Sequence, residues 1–327
     1  MARALLLVNA MVVPSRRLVL LAVLGACAEP GPRAGSVVAR EAAPASIAEV
    51  TRPSLGAEAL VALAARGDVA ALDGDVALVC PPGPAGDAHA ASCDAAWVGA
   101  SGGLTPWGRG DLLAAARLDA SRVVSLTRDR ELVLATPSSE PRVLATHVAD
   151  PRVAPDRRAV AFTALRGDDI SPATTGRLVV LDLDRGTRRV VTDHPMDSSP
   201  FFRPGSDDIV FVSARTGIAS LWLARPGARP RQLTNVGARA VDASFVPVPG
   251  RELVWLDART AVFTATYDDV SVLWALDVET GRAVSLGPGR WPQPHADAVV
   301  AVSPAGARTL DGDEIRAALA APVGSVP

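Results

Sequence analysis

Three kinds of residue in this chain could do chemistry: cysteine thiols, a few histidines, and carboxylates that recur at long intervals. Cys27 closes the run Leu24-Gly25-Ala26-Cys27, where small residues admit a peptidase and leave a thiol that can take an acyl group. Cys80 and Cys93 lie thirteen residues apart. Pairing is their default in an oxidising compartment, and so short a loop stabilises by about 3 kcal/mol in the chain-entropy model. Two free thiols, or a metal pair completed by His89, are the alternatives. His89, His147, His194 and His295 stand singly, none at metal-ligand spacing. Asp150, Asp197 and Asp242 each precede the first strand of a repeated unit. They are candidates to face a central channel and hold a cation or polar ligand there; capping a turn or strand is the plainer role. Asp182, Asp184 and Asp277 sit before Gly-containing turns, without the alternating oxygen spacing of a cation loop.

Composition removes whole classes of chemistry. All 33 basic residues are arginine, so Schiff-base catalysis, a P-loop lysine and a Ser-Lys dyad are excluded. Neither Gly-x-Ser-x-Gly nor His-Glu-x-x-His occurs. Net charge is −2 with signs interspersed, which argues against a nucleic-acid partner. No catalytic residue, metal ligand or cofactor is therefore assigned. Paired carboxylates acting on sugars stay open, because spacing along the chain does not set separation in space.

The N-terminus carries an address. Arg16 and Arg17 precede the apolar run Leu18–Leu24, which is too short to cross a bilayer of about 30 Å. With Leu24-Gly25-Ala26-Cys27, residues 1–27 resemble a bacterial lipoprotein signal peptide, Gly25 being a less usual occupant of its place. The resemblance implies that Cys27 is lipidated and anchors the chain to a membrane outside the cytoplasm, in keeping with two acyl chains anchoring stably. A plain secretory signal is the alternative. Ser15-Arg16-Arg17-Leu18 also resembles a twin-arginine signal, without its usual Phe and Lys, and Met11 could be the true start. Ala28 is not the Asp that retains some lipoproteins in the inner membrane, which slightly favours the outer membrane. Residues 28–50, rich in Ala, Pro, Gly, Glu and Arg, read as a flexible tether.

A helix is expected within 51–67, with Ser54 as N-cap and Gly67 as stop. From Asp68 to about Leu310, apolar runs of four to six residues alternate with turn clusters, the pattern of many short strands. Asp311 to Ala321 could form a short helix opening the C-terminal tail, 313–327.

Self-similarity organises the strands. Asp197-Ser-Ser-Pro-Phe-Phe-Arg-Pro-Gly-Ser-Asp-Asp-Ile-Val-Phe-Val-Ser213 leads into Ser220-Leu-Trp-Leu and Arg231-Gln-Leu-Thr234. An upstream copy begins at Asp150 and a downstream copy at Asp242, with turn prolines Pro155, Pro204 and Pro249 spaced by 49 and 45 residues. Pro155-Asp156, Pro204-Gly205 and Pro249-Gly250 mark the first turn of each copy. Phe162, Phe211 and Trp255 align on the strand after it, with 257–270 as a long loop, and Trp222 and Trp274 align further on. Trp107 and Trp291, in Gly/Pro-rich stretches, are surface candidates.

Strands such as Ile209–Val212 are apolar on both faces, and radial stacking of sheets covers both. The copies resemble the repeats of TolB-like β-propellers, best over residues 198–234 and in all over about 150–286. The resemblance implies an all-β fold: a β-propeller of about six (five to seven) four-stranded blades over 68–312. It further implies a binding module, monomeric, whose partner is another envelope protein. A propeller enzyme acting on envelope carbohydrate or peptide, and a small-molecule or metal sensor, are the rival readings.

Overall fold

Strands that are apolar front and back must be covered on both sides, and this chain covers them with copies of the same unit. The computed structural model describes residues 55–66, 69–73, 76–80, 93–99, 101–106, 112–119, 121–136, 139–166, 176–217, 219–234, 253–267 and 270–321. Helix α1 (Ala57–Arg66) comes first. Six antiparallel sheets follow in chain order. Blade 1 holds β1 (Val69–Asp73), β2 (Val76–Val79), β3 (Asp94–Val98) and β4 (Leu104–Pro106). Blade 2 holds β5 (Leu112–Arg117), β6 (Val123–Thr127), β7 (Leu132–Thr136) and β8 (Ser139–Ala145). Blade 3 has β9 (Val148–Val153), β10 (Ala159–Ala164), β11 (Arg177–Asp182) and β12 (Arg188–Thr192). Blade 4 has β13 (Asp197–Phe202), β14 (Ile209–Ser213), β15 (Ser220–Ala224) and β16 (Arg231–Gln232). Blade 5 has β17 (Leu253–Trp255), β18 (Thr260–Tyr267), β19 (Val270–Asp277) and β20 (Arg282–Pro288). Blade 6 has three strands among the described residues, β21 (Arg290–His295), β22 (Ala298–Ser303) and β23 (Gly306–Asp311), before helix α2 (Gly312–Ala320). The expected β-propeller is the fold, with six blades.

Each seam between neighbouring blades has its own apolar core. Val76 and Ala95 meet Leu112 and Val123 between blades 1 and 2. Leu126 and Leu132 meet Val160 and Phe162 between blades 2 and 3. Leu178 meets Ile209 and Phe211 between blades 3 and 4. Leu221 and Leu223 meet Phe263 and Leu276 between blades 4 and 5. Leu273 meets Val299 and Leu310 between blades 5 and 6, where Ile315 and Leu319 of α2 join them. The last seam closes the ring: Leu55, just before α1, and Leu60 and Leu63 of α1 pack against Val69 and Ala77 of blade 1 and Trp291, Val300 and Val302 of blade 6. Alternate residues of a strand serve alternate seams, which is why β14 is buried along its whole length.

Several expectations change. Phe162 of β10 and Phe211 of β14 are joined in register by Phe263 of β18, not by Trp255: they pair with Val179, Trp222 and Trp274 respectively. Trp255 lies on the first strand of blade 5, and much of the presumed long loop is β18. Thr260-Ala-Val-Phe-Thr-Ala-Thr-Tyr267 is a β-branched, alternating run whose threonines hide a strand that packing favours. The short helix expected over Asp311 to Ala321 is present as α2: Asp311 accepts the Asp313 and Glu314 N–H groups as N-cap while Ile315 and Leu319 pack in the seam. Helix α1 has its first bond from Leu60 N–H to the Gly56 carbonyl at 3.2 Å, and the expected cap Ser54 and stop Gly67 lie outside the described residues. Trp291 sits buried on β21 and not in a surface loop. Cys27, residues 28–50, His89, Trp107, Asp242, Pro249 and Gly250 lie outside the described residues.

Candidate functional site

Strand direction sorts the connections onto two faces. The β6–β7, β10–β11, β12–β13, β14–β15 and β16–β17 connections leave one face, together with the Cys80–Cys93 loop between β2 and β3. Cys80 and Cys93 are disulfide-bonded, and the Cys93 carbonyl accepts a hydrogen bond from Leu112 N–H of blade 2 at 3.2 Å.

The opposite face is built of tight turns whose charges satisfy one another. Asp182 Oδ1 accepts the Asp184 and Arg185 N–H groups, and Asp277 Oδ1 those of Glu279 and Thr280. Asp156 accepts Arg158 N–H in the first turn of blade 3, and Gly205 takes the left-handed backbone in that of blade 4. Glu279 of blade 5 receives Arg203 at 2.6 Å and Arg225 at 2.9 Å from blade 4. Hydrogen bonds from Arg225 and then Arg203 hold its carboxyl below the usual range. Arg316 of α2 reaches Asp257, Asp297 and Asp313. Asp182, Asp184 and Asp277 thus serve turns and ion pairs.

On the first face the inner strands share an irregularity. In β9, β13 and β21, three steps along the strand oppose two on its neighbour: Ala149 to Arg152, Ser198 to Phe201, and Arg290 to Gln293. The extra residue is Asp150, Ser199 or Trp291, each in left-handed backbone and each followed by a proline. A bulge suits that proline, since the broken ladder needs no N–H there. The left-handed backbone costs these non-glycine residues of order 1 kcal/mol or more each. Asp150 and Ser199 are therefore equivalent positions, whereas Asp150 and Asp197 are not. Asp150 Oδ2 accepts both the N–H and the hydroxyl of Ser199 across the seam, each at 3.2 Å.

Asp197 departs from its expected role. It is fully buried: Oδ2 receives Arg215 Nη2, and Oδ1 is shielded from solvent with no hydrogen-bond partner among the described residues, so neither oxygen is exposed to a channel. The Arg215 guanidinium lies 4.7 Å from the Trp222 ring centre and 5.6 Å from that of Phe211, and also donates to Ser213 Oγ. This is a packed ion pair inside blade 4. His194 Nδ1 is 3.9 Å from Asp197 and accepts Met196 N–H.

Asp150 instead belongs to a polar corner where blades 2, 3 and 4 meet. The β6–β7 turn carries Arg130 there, with its carbonyl accepting Val148 N–H at 3.0 Å, while the His147 carbonyl accepts Leu165 N–H at 2.7 Å. Arg130, His147, Asp150 and Ser199 all take left-handed backbone. Burial pushes the Arg130 pKa down, opposed by the Asp150 charge. Sequence reasoning picks out Asp150 but not Arg130 or Ser199; the Asp-Pro and Ser-Pro dipeptides, 49 residues apart, are the usable signal. Among the described residues no three His, Cys, Asp or Glu side chains gather as a metal site.

Compared by sequence, the chain matches no family model and none of the curated proteins. Solved structures share its fold. TolB from Acinetobacter baumannii superposes with a TM-score of 0.52 at 17% identity, over 73% of this chain and 61% of that one. The tricorn protease gives 0.51 at 12% identity, over 75% of this chain and 29% of that one. An oligogalacturonate lyase in complex with manganese gives 0.48 at 15% identity, over 70% and 68%. The chain thus spans under two thirds of the TolB and under a third of the tricorn protease. The fold is that of a TolB-like β-propeller, and proteins of this fold include enzymes as well as TolB.

Proposed function

We propose that this protein is a lipid-anchored, monomeric β-propeller outside the cytoplasm that binds an envelope protein without catalysing a reaction. Lipid on Cys27 provides the anchor, residues 28–50 the tether, and the periplasmic side of the outer membrane the location. The observation that carries the binding reading is the asymmetry of the two faces. One face has its charges paired in short turns, while the loops of the other carry the polar corner beside the Arg166–Asp193 ion pair. Propellers and other rigid scaffolds bind through such loops. The Cys80–Cys93 disulfide supports an oxidising compartment.

The test places a photo-crosslinker at Asp129, exposed on the loop-bearing face, or at Arg185, exposed on the opposite face, in intact cells. One envelope protein captured from position 129 and not from 185 is the expected result. No adduct at either position, or equal capture at both, overturns the reading. The anchor is tested separately: Cys27→Ala should move the protein into the soluble fraction, and continued membrane association would reject lipidation.

A further inference from the structure

The turn that leads into blade 4 holds a histidine between two partners that need it in opposite charge states. The Asp197 N–H closes the turn on the His194 carbonyl at 3.1 Å. Within it, His194 Nδ1 accepts the Met196 N–H at 3.2 Å. That nitrogen therefore presents its lone pair, and the ring is neutral with its proton on Nε2. Asp197 Oδ1 lies 3.9 Å from the same nitrogen. This oxygen is shielded from solvent and has no hydrogen-bond partner among the described residues, because Arg215 donates to Oδ2. A buried carboxylate oxygen without a donor is costly.

We propose that His194 is a proton-operated latch on the loop-bearing face: once protonated, it lets go of the Met196 N–H and donates from Nδ1 to Asp197 Oδ1. A proton on Nδ1 turns an acceptor into a donor, so the Met196 N–H then meets another N–H instead of a lone pair. The same proton supplies the donor that Oδ1 lacks, in a charge-assisted bond stronger than the neutral one it replaces. Closing the gap from 3.9 Å to the ordinary length of about 2.9 Å takes a movement of about 1 Å, and the half-buried imidazole is free of strand packing on its open side. The other charges on the neighbouring connections are matched. Asp193 pairs with Arg166 of the β10–β11 connection at 2.6 Å, and Arg215 of the β14–β15 connection pairs with Asp197. What moves is the turn and the exposed Met196 side chain that it carries, while the Met196 carbonyl stays tied to Ala214 N–H at 3.3 Å. Imidazole is the side chain that changes charge in mild acid, so the latch answers to that signal. It is independent of the protein-binding role and stands if that role fails.

The experiment uses the full chain in detergent, labelled with ¹⁵N-histidine and ¹⁵N-methionine and followed by NMR from about pH 8 to about pH 5. The methionines are Met1, Met11 and Met196, and Met196→Leu assigns the third amide. The Met196 amide signal should shift in one step, with the same midpoint as the His194 ring nitrogens. In His194→Gln the side-chain oxygen still accepts the Met196 N–H but takes up no proton, so the Met196 signal should stay in place. At the acid end the His194 Nδ1–H should be visible and slow to exchange with water, since it points at a buried oxygen; this second readout needs no variant. A Met196 signal that does not move, one that moves equally in His194→Gln, or an Nδ1–H lost to rapid exchange overturns the proposal.

Discussion

Phe211 and Phe263 occupy one position in successive blades. Each is fully buried on a second strand, each faces the preceding blade, and each sits opposite a tryptophan of the third strand, Trp222 or Trp274. Interblade packing is therefore carried by a phenylalanine repeated from sheet to sheet, with Phe162 as a third copy in blade 3.

Phe263→Ala should destabilise the propeller by about 3–5 kcal/mol, the usual cost of emptying a large buried site. Trp255→Ala, at a partly exposed place on the first strand against the same core, should cost less than half of that. Denaturant unfolding of the two variants measures the difference. Equal losses would argue that Trp255 holds the repeated position after all.

The α1 clasp depends on a glycine. Gly102, between β3 and β4, has φ +82°, and a Cβ there would lie 2.8 Å from Ala62 Cβ and 3.0 Å from the Ala59 carbonyl oxygen. Gly217 has φ +90° with open space around it. Gly217→Ala should cost only the left-handed backbone, about 1–2 kcal/mol. Gly102→Ala adds the clash with α1, and should cost about 1–3 kcal/mol more. Thermal unfolding of both proteins reads the excess; matched Tm values would mean that α1 does not hold the ring closed.

Acid should remove a defined part of the stability. Hydrogen bonding from Arg259 holds the Asp277 carboxyl at about 2, below its ordinary value of 3.8. A carboxyl whose folded pKa is depressed stabilises the fold above its unfolded pKa, and that contribution fades as pH falls from about 4 to about 2. By linkage, with the exposed Arg259 side of the pair screened by solvent, it amounts to about 1–2 kcal/mol. Asp277→Asn should lose this amount at pH 7 and flatten the stability profile between pH 4 and 2. Denaturant midpoints across that range are the measurement, and an unchanged slope would reject the assignment.

Some of the site can be read in the chain and some cannot. Cys80 and Cys93 are visible as a pair because their short separation favours one product. The repeat at blades 3 and 4 is visible because Pro155 and Pro204 mark turns whose geometry is local. Blade 5 misleads because Ala161-Phe162 and Val254-Trp255 are alike as apolar pairs, and nothing local says which strand of the unit either belongs to. Asp197 misleads for a similar reason. It opens a strand that carries a bulge, but it lies two residues before the bulged Ser199, whereas Asp150 is itself the bulged residue of its strand, third in β9.

The strand-rich texture, the repeat, the propeller class and the Cys80–Cys93 pair follow from the order of residues alone, because each rests on local preference or on a burial demand that one segment reveals. Long-range packing settles the rest: which strand of blade 5 carries the core phenylalanine, that α1 closes the ring, and that Arg130, Asp150 and Ser199 share a corner. Those outcomes come from ring closure. Strands far apart in the chain compete for the same seam, and the winner is set by the summed packing of both neighbours.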